Sequence, residues 1–269
     1  MKKEVESMKI IVCMKQVPAG TKVDIDPETG AMKRLSGETR TNPYDLFALE
    51  AALQLREKVG GSVTVLTMGP PQAEEMMRDA YTMGADDAII LSDRKFAGAD
   101  VLATSYALSQ GITAIGDIDL IICGKQTTDG DTAQVGPAIA EHLGIPHAAW
   151  VSEIVDADSE SIQVKQDLVS VSQTSKIPYP CLITVDKDMC VPRLPSYLLQ
   201  KQSKDRPVKI MTFEDMADQN LSKYGLVGSP TAVEKMFAPP EVEKQVYFDG
   251  DAKEKTKQLF DVLVNKKVI

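Results

Sequence analysis

The sequence predicts an α/β fold with a doubly wound, mostly parallel sheet, because short apolar runs alternate with segments of helical spacing. The runs are rich in isoleucine and valine and do not alternate with polar residues. They therefore favour parallel strands that are covered on both faces. Glycine, proline, aspartate, threonine or serine follows each run. The four runs are Lys9–Met14, Ser62–Met68, Ala88–Leu91 and Asp119–Cys123.

Helices are predicted between these strands. Asn42 offers a capping side chain and Pro43 suits the first helical position, while Gly60 and Gly61 end the same helix. The remaining helices are predicted from Pro71 to Gly84, from Asp100 through Ala107, and from Val135 to Leu143. In a sheet of this kind, ligands bind beyond the carboxyl ends of the strands, where the strand order reverses.

The pattern changes in the second half of the chain. Ser161–Ser175 alternates and predicts a hairpin or an added sheet edge, and Cys181–Val185 predicts a last core strand. Prolines then punctuate a polar stretch, so the predicted domains are 8–190 and 191–269. An amphipathic segment at 259–263 is predicted either to fold back on its own sheet or, as we favour, to belong to an arm that docks on a partner subunit.

Composition excludes several classes of protein. The 269 residues are 43% hydrophobic and 26% charged, which is typical of a globular chain. The formal charge of −9 disfavours nucleic acid as a partner, and no apolar run reaches the ~18–20 residues that span a bilayer. With no export signal and no CxxC pair, we expect a cytoplasmic protein without a metal site. Since no hydrolase or P-loop motif is present, redox chemistry requires a bound cofactor.

The most informative segment is Gly124–Gly136, which follows a predicted strand and precedes a predicted helix. Its glycines let the backbone approach a ligand, and its threonines, with Lys125 and Gln126, offer hydrogen-bond donors. The N-terminus of the next helix adds free N–H groups and a positive dipole, so the segment predicts a phosphate site. An ordinary strand-to-helix turn is the alternative.

Motifs along most of the chain carry a resemblance to a known family. They are VCMKQVP at Val12–Pro18, NPYD at Asn42–Asp45, ALEAA at Ala48–Ala52, VLTMGPP at Val65–Pro71, MGAD at Met83–Asp86, GKQTTDGDTAQVG at Gly124–Gly136 and PRLPS at Pro192–Ser196. In this order and spacing they resemble the beta subunit of electron-transferring flavoproteins. One departure is Thr128, where family members often carry isoleucine.

The resemblance implies a nucleotide-binding α/β fold of the adenine nucleotide alpha hydrolase-like type, in a heterodimer with an alpha subunit. In the ordinary branch of the family the pocket holds AMP, and in the electron-bifurcating branch the same pocket holds the adenosine end of an FAD. Cys13 and Met68 would form soft walls for the adenine and the Asn42 amide would bond its edge; core packing and a plain helix cap are the alternatives. The implied pocket residues are Cys13, Asn42, Pro43, Tyr44, Asp45, Met68, Gly124, Lys125, Gln126, Thr127, Thr128, Asp129, Gly130, Asp131, Thr132, Ala133, Gln134 and Val135.

Two further stretches resemble the bifurcating branch, Pro18–Arg34 and Ser92–Leu108. In the second, Arg94 offers a fork for a phosphate or a flavin carbonyl, and Asp100 and Thr104 lie on the first turns of a helix. The alternative is a solvated loop with its helix cap.

By resemblance, the leading hypothesis is a bifurcating subunit whose FAD takes electrons from NADH in a prokaryotic, anaerobic cell. One electron would pass to ferredoxin, and the other through a second FAD on the alpha subunit to a flavin-dependent dehydrogenase of the acyl-CoA or 2-hydroxy acid type. No side chain of this chain is expected to be catalytic. The residues implied to contact the dehydrogenase, with a simple linker as the alternative, are Leu194, Pro195, Ser196, Tyr197, Leu198 and Leu199. The rival functions are an ordinary AMP-holding subunit and a non-redox adenine-nucleotide-binding module.

Overall fold

The structure is a computed structural model that describes residues 8–19, 24–25, 32–33, 39–232 and 246–269. The described residues fall into two compact units. The first contains residues 8–19, 24, 33 and 39–232, and the second contains residues 25, 32 and 246–269. Apart from residues 18, 19, 24, 25, 32 and 33, the predicted Pro18–Arg34 stretch lies outside the described part of the chain.

The described strands and helices are named here in chain order. The strands are β1 (Lys9–Cys13), β2 (Gln16–Pro18), β3 (Asp24–Ile25), β4 (Met32–Lys33), β5 (Thr39–Thr41), β6 (Ser62–Met68), β7 (Asp87–Leu91), β8 (Leu120–Gly124), β9 (His147–Ala157), β10 (Ser161–Leu168), β11 (Val171–Pro178), β12 (Cys181–Val185) and β13 (Lys209–Met211). The helices are α1 (Pro43–Val59), α2 (Glu74–Met83), α3 (Val101–Ile115), α4 (Val135–Leu143), α5 (Tyr197–Gln202) and α6 (Ala252–Asn265).

Nine strands form the central sheet in the order β11-β10-β9-β12-β8-β1-β6-β7-β13. All pairings from β9 to β13 are parallel, and the β10–β11 hairpin continues the sheet in antiparallel fashion. The prediction of a doubly wound, mostly parallel α/β fold is therefore confirmed, as is the hairpin. The chain leaves β1 toward β6 and β7 and then returns to β8 on the other side of β1, so the strand order reverses there.

Apolar side chains of the central strands point alternately to two buried clusters, one on each face of the sheet. Ile10 and Val12 pack with residues of α1 and α2, whereas Ile11 and Cys13 pack with residues of α3 and α4. Strands covered on both faces have no wet side, which is why their sequence shows continuous rather than alternating hydrophobicity. Cys13 thus ends β1 on the side of α4, the helix that follows the Gly124 loop.

Helix α3 continues well beyond the predicted end at Ala107. Its two buried serines leave no hydroxyl unpaired. The hydroxyls of Ser105 and Ser109 donate to Leu102 O (3.0 Å) and Tyr106 O (2.7 Å). Gly111 lets the helix lie close to β7, because a Cβ there would be 2.6 Å from Leu91 Cδ1. The sequence prediction did not include residues 108–115 of this helix.

Two parts of the first unit differ from the sequence analysis. Strand β9 was not predicted, since polar residues interrupt it. The predicted domain boundary at residue 190 falls inside the unit, which continues to residue 232 among the described residues. Strand β13 extends the sheet beside β7, and Phe213, Met216 and Tyr224 are buried against Phe96 and its neighbours. A few buried residues within a polar, proline-rich stretch therefore attach it to the domain.

The second unit contains α6, which begins with a capping box formed by Asp251 and Glu254. The helix buries none of its residues, and Leu259, Phe260 and Val264 are exposed. None of the helices in the described ranges is long and apolar enough to cross a membrane.

Candidate functional site

A cleft of about 840 Å³ lies at the carboxyl ends of β1, β6 and β8, where the strand order reverses. The loop 124–136 forms one wall, and residues 98–104 form the opposite wall. The structure brings most of the predicted site residues to this cleft. Those that line it are Cys13, Asp45, Met68, Asp100, Thr104, Gly124, Lys125, Gln126, Thr127, Asp129, Gly130, Thr132, Ala133, Gln134 and Val135. Those that do not are Asn42, Pro43, Tyr44, Arg94, Thr128 and Asp131.

The loop before α4 presents a row of free backbone donors. The N–H groups of residues 132 to 136 have no hydrogen-bond acceptor within the described part of the chain. Asp131 and Ala133 hold positive φ angles of 53° and 55°, and turns of this kind direct successive N–H groups toward one point. The positive end of the α4 dipole lies at the same place. This row fits the phosphate groups of a nucleotide.

Asn42 anchors the loop from behind. It is fully buried and makes no side-chain cap bond to its own helix. Instead, its Nδ2 donates to Gln126 O (2.9 Å), and its Oδ1 accepts from Thr128 N (3.3 Å). The sequence predicted either a contact with adenine or a plain helix cap for Asn42, and these bonds to the loop are neither of the two. Asn42 fixes the backbone of the loop, and Thr128 takes part through its N–H group.

Asp45 connects the ends of β1 and β8 beneath the cleft. Its Oδ2 accepts a hydrogen bond from Lys15 N (2.7 Å). Burial raises the pKa of Asp45 to about 7, although the N–H groups of Lys15 and Gly124 favour the charged form. A Cβ at Gly124 would overlap the Asp45 carboxylate and would lie 2.8 Å from Tyr44 Cβ. The close packing of Asp45 and Tyr44 therefore leaves room only for glycine at position 124.

The charged side chains of the loop are paired within the protein. Lys125 Nζ lies 2.9 Å from Asp186 and 4.6 Å from the centre of the Trp150 ring. The side-chain amide of Gln126 donates to Asp131. These two residues were expected to donate to a ligand, whereas the structure gives both of them internal partners. The backbone N–H row is consequently the main unengaged donor set of this wall.

Lys15 and Cys123 are among the cleft residues that were not predicted from the sequence. Lys15 Nζ pairs with Asp129 at 2.7 Å and so connects the loop after β1 to the loop after β8. Cys123 is the in-register neighbour of Cys13, and a hydrogen bond with that thiol, together with burial, raises the pKa of Cys123. Both residues could have been predicted as part of a site, because Lys15 lies just after β1 and Cys123 lies at the end of β8. The two thiol side chains form a soft, apolar floor.

The opposite wall is also held by protein contacts. Asp100 caps α3 through Ala103 N (3.1 Å) and accepts a hydrogen bond from Thr231 Oγ1 (2.8 Å). Thr104 lies one turn farther along the helix and lines the cleft. Arg94 is exposed and lies outside the lining.

The segment 194–199 lies outside the cleft and differs in character. Leu194 is 86% exposed and Tyr197 is 70% exposed. The base of the segment is fixed, because Ser196 N donates to Thr82 O (2.8 Å) and the Ser196 side chain caps α5. Arg193 pairs with the buried carboxylate of Glu50 at 2.8 Å.

Comparisons with known proteins agree with this geometry. A family model for the electron transfer flavoprotein domain matches residues 29–217. Protein FixA of Azorhizobium caulinodans is 45% identical over 238 residues, which cover 86% of this chain and 85% of that protein. An electron transfer flavoprotein subunit beta of Thermoanaerobacterium thermosaccharolyticum is 42% identical over 265 residues, with 97% and 100% covered. The caffeyl-CoA reductase-Etf complex subunit CarD of Acetobacterium woodii is 43% identical over 234 residues, with 87% and 88% covered. The chain therefore belongs to the electron transfer flavoprotein family and is of its beta-subunit type.

Proposed function

We propose that this chain binds FAD and, with an alpha subunit, takes electrons from NADH and bifurcates them between ferredoxin and a flavin-dependent dehydrogenase of the acyl-CoA or 2-hydroxy acid type. The observation that carries the proposal is the continuity of the cleft. It extends from the free N–H row at 132–136 across the ends of β1 and β6 to residues 98–104. AMP would fill only the end near the N–H row, whereas FAD also needs the remainder for its flavin. The similarity to a subunit of a caffeyl-CoA reductase complex supports the same branch.

In this proposal the protein residues bind and orient the cofactor and do no proton chemistry. The N–H row holds the diphosphate, Cys13 and Met68 contact the rings, and the buried ties from Asn42 and Asp45 keep the wall in place. When bound, FAD supplies the acceptor for the electrons of NADH and the donor for the two onward transfers. Arg94 has no cleft contact here, so it is not part of this binding scheme.

The test is the nucleotide content of the heterodimer. The chain is co-expressed with its alpha subunit, purified, and extracted for chromatography. We expect two FAD per heterodimer. One FAD with one AMP would instead support an ordinary electron-transfer subunit, and an adenine nucleotide without flavin would support a non-redox binding module.

A pair of variants tests the N–H row directly. Ala133→Pro removes one N–H group and cannot adopt a φ of 55°, so we expect loss of the nucleotide of this subunit. Ala133→Gly keeps the N–H group and tolerates the same φ, so it should retain the nucleotide. Equal nucleotide content in both variants would refute the assignment of this loop.

We further propose that residues 246–269 dock on the alpha subunit, and that residues 194–199 contact the dehydrogenase. Helix α6 supports the first proposal, since it leaves Leu259, Phe260 and Val264 exposed. Deleting residues 246–269 should reduce co-purification of the alpha subunit, and Lys257→Ala, on the same helix, is the control. Stoichiometric co-purification after the deletion would contradict the docking role.

A further inference from the structure

A second cavity, of about 230 Å³, lies away from the cleft. It is bounded by the end of α1, the turn after α2 and the end of α5. We propose that it binds a small oxyanion of the phosphate or carboxylate class. The proposal goes beyond the nucleotide site and does not depend on it. Three arginines line the cavity, namely Arg56, Arg193 and Arg206, with Asp86 as the acidic residue of the lining.

Two of these arginines keep an unengaged edge. Arg56 Nη1 donates to Gly84 O and to Asp86 Oδ2, both at 2.8 Å. Arg206 Nη1 donates to Ala85 O (3.1 Å) and to Asp86 O (3.3 Å). The Nε and Nη2 atoms of both side chains have no acceptor among the residues that the structure describes. That edge of a guanidinium binds two oxygens of a carboxylate or phosphate at once.

The opposite side of the cavity adds neutral donors from the end of α5. Ser203 is only 6% exposed, yet its hydroxyl has no hydrogen-bond partner within the described ranges. The neighbouring Gln202 amide is likewise unengaged by described residues. The Ser203 hydroxyl and the Gln202 amide can therefore donate hydrogen bonds to a ligand in the cavity.

The negative charges near the cavity are already neutralised. Asp86 Oδ2 accepts from Arg56 and from Val63 N (2.8 Å). Arg193 uses three of its five N–H groups on Glu50 and Glu57, so it offers fewer free donors to the cavity than the other two arginines. Most of the free donors therefore come from Arg56, Arg206 and the end of α5.

The size of the cavity limits the ligand. Its volume is several times the ~30 Å³ that a water molecule occupies in the liquid, and it lies below the ~300–1,000 Å³ of sites for larger organic ligands. Inorganic phosphate or a single carboxylate group fits, whereas a nucleotide does not. An oxyanion here would join α1 to the end of α5, the helix that carries Tyr197 and Leu198.

The experiment is a calorimetric titration of the nucleotide-loaded heterodimer with inorganic phosphate and, separately, with acetate. We expect saturable binding of at least one of them. Tighter binding of phosphate indicates a ligand of the phosphate class, and tighter binding of acetate indicates a ligand of the carboxylate class. The variant Arg206→Gln should weaken binding by roughly tenfold or more, since it removes a charge-assisted pair.

Two further variants separate this site from general charge effects. Lys204→Gln removes the same charge two residues away, outside the cavity lining, and should leave binding unchanged. Ser203→Ala keeps the charge and should still weaken binding. No saturable binding by the parent protein, or equal weakening by Lys204→Gln and Arg206→Gln, would overturn the proposal. Nucleotide content, measured on the same samples, stays constant and so reports separately on the cleft.

Discussion

Helix α1 anchors two segments that present different surfaces. Near its start, Asn42 and Asp45 hold the loops that end β1 and β8, and in its middle Glu50 holds Arg193 at the base of the 194–199 segment. In each case a buried polar side chain on the helix bonds to the segment. The first segment then exposes backbone N–H groups, whereas the second exposes apolar side chains.

The two surfaces suit proposed ligands of different size, a phosphate group at the cleft loop and a protein partner at residues 194–199. Backbone N–H groups can be placed around a phosphate only if the backbone itself is fixed, which is what the bonds to Gln126 and Thr128 achieve. A protein partner is instead contacted through exposed apolar side chains such as Leu194 and Tyr197. A mutation that breaks the anchor of one segment should therefore leave the other segment in place.

Arg193→Met removes the anchor of the second segment and has the largest expected effect on stability. It leaves the carboxylate of Glu50, which is 3% exposed, without its charged partner. We expect a loss of about 2–3 kcal/mol in the free energy of unfolding, measured with guanidinium, at unchanged nucleotide content. Lys58→Met breaks the exposed Lys58–Asp156 pair and should change stability by less than about 1 kcal/mol. Equal losses in the two variants would contradict the anchoring role of Glu50.

Gly124→Ala acts on the anchor of the cleft loop. The added methyl group collides with Asp45 and Tyr44, so we expect a loss of about 1–3 kcal/mol together with loss of the nucleotide. Gly130→Ala is the matched control for stability alone, because the nearest atom to its Cβ, Thr127 Oγ1, is 3.4 Å away. Denaturant unfolding and nucleotide extraction measure both effects. Retention of the nucleotide by the Gly124 variant would show that the contact is dispensable.

Asp45 makes stability depend on pH. Its pKa rises from 3.8 to about 7 on folding because it is buried, so between these values the native state holds more protons than the unfolded state. Its contribution to stability therefore falls as pH rises from 4 to 7, by at most about 1.4 kcal/mol per pH unit. Asp45→Asn should flatten this slope, whereas Asp87→Asn, at an exposed position, should not. Parallel pH profiles for all three proteins would refute the burial effect.

The smallest effect on stability is expected from the exposed residues of the second segment. Leu194→Ser combined with Tyr197→Ser should change unfolding by less than about 0.5 kcal/mol, because both side chains are mostly exposed. Electron transfer to the dehydrogenase should fall, while reduction of the heterodimer by NADH is unaffected. An unchanged rate with the dehydrogenase would exclude this segment from the contact.

Much of the central sheet and its helices was predictable from the sequence. Strands β6 and β12 and helices α1 and α4 match their predicted limits, because glycine, proline and buried apolar runs mark their ends locally. The cleft loop was found for the same reason, since a glycine-rich turn between a strand and a helix is a local pattern. Strand β9 was missed because polar residues interrupt its apolar residues, and β13 was missed because it has only three residues and pairs with β7, which is distant in sequence.

The sequence by itself determined the main alternating strands and helices of the core, the edge of the sheet where a site is expected and the family resemblance. Only the tertiary structure decided that Asn42 faces the loop rather than the cleft, and that Lys125 pairs with Asp186. It also decided that residues 191–232 belong to the first unit. The physical reason is that propensity and hydrophobic period are set by neighbours in the chain, whereas a buried polar side chain takes whichever partner packing brings within hydrogen-bond distance.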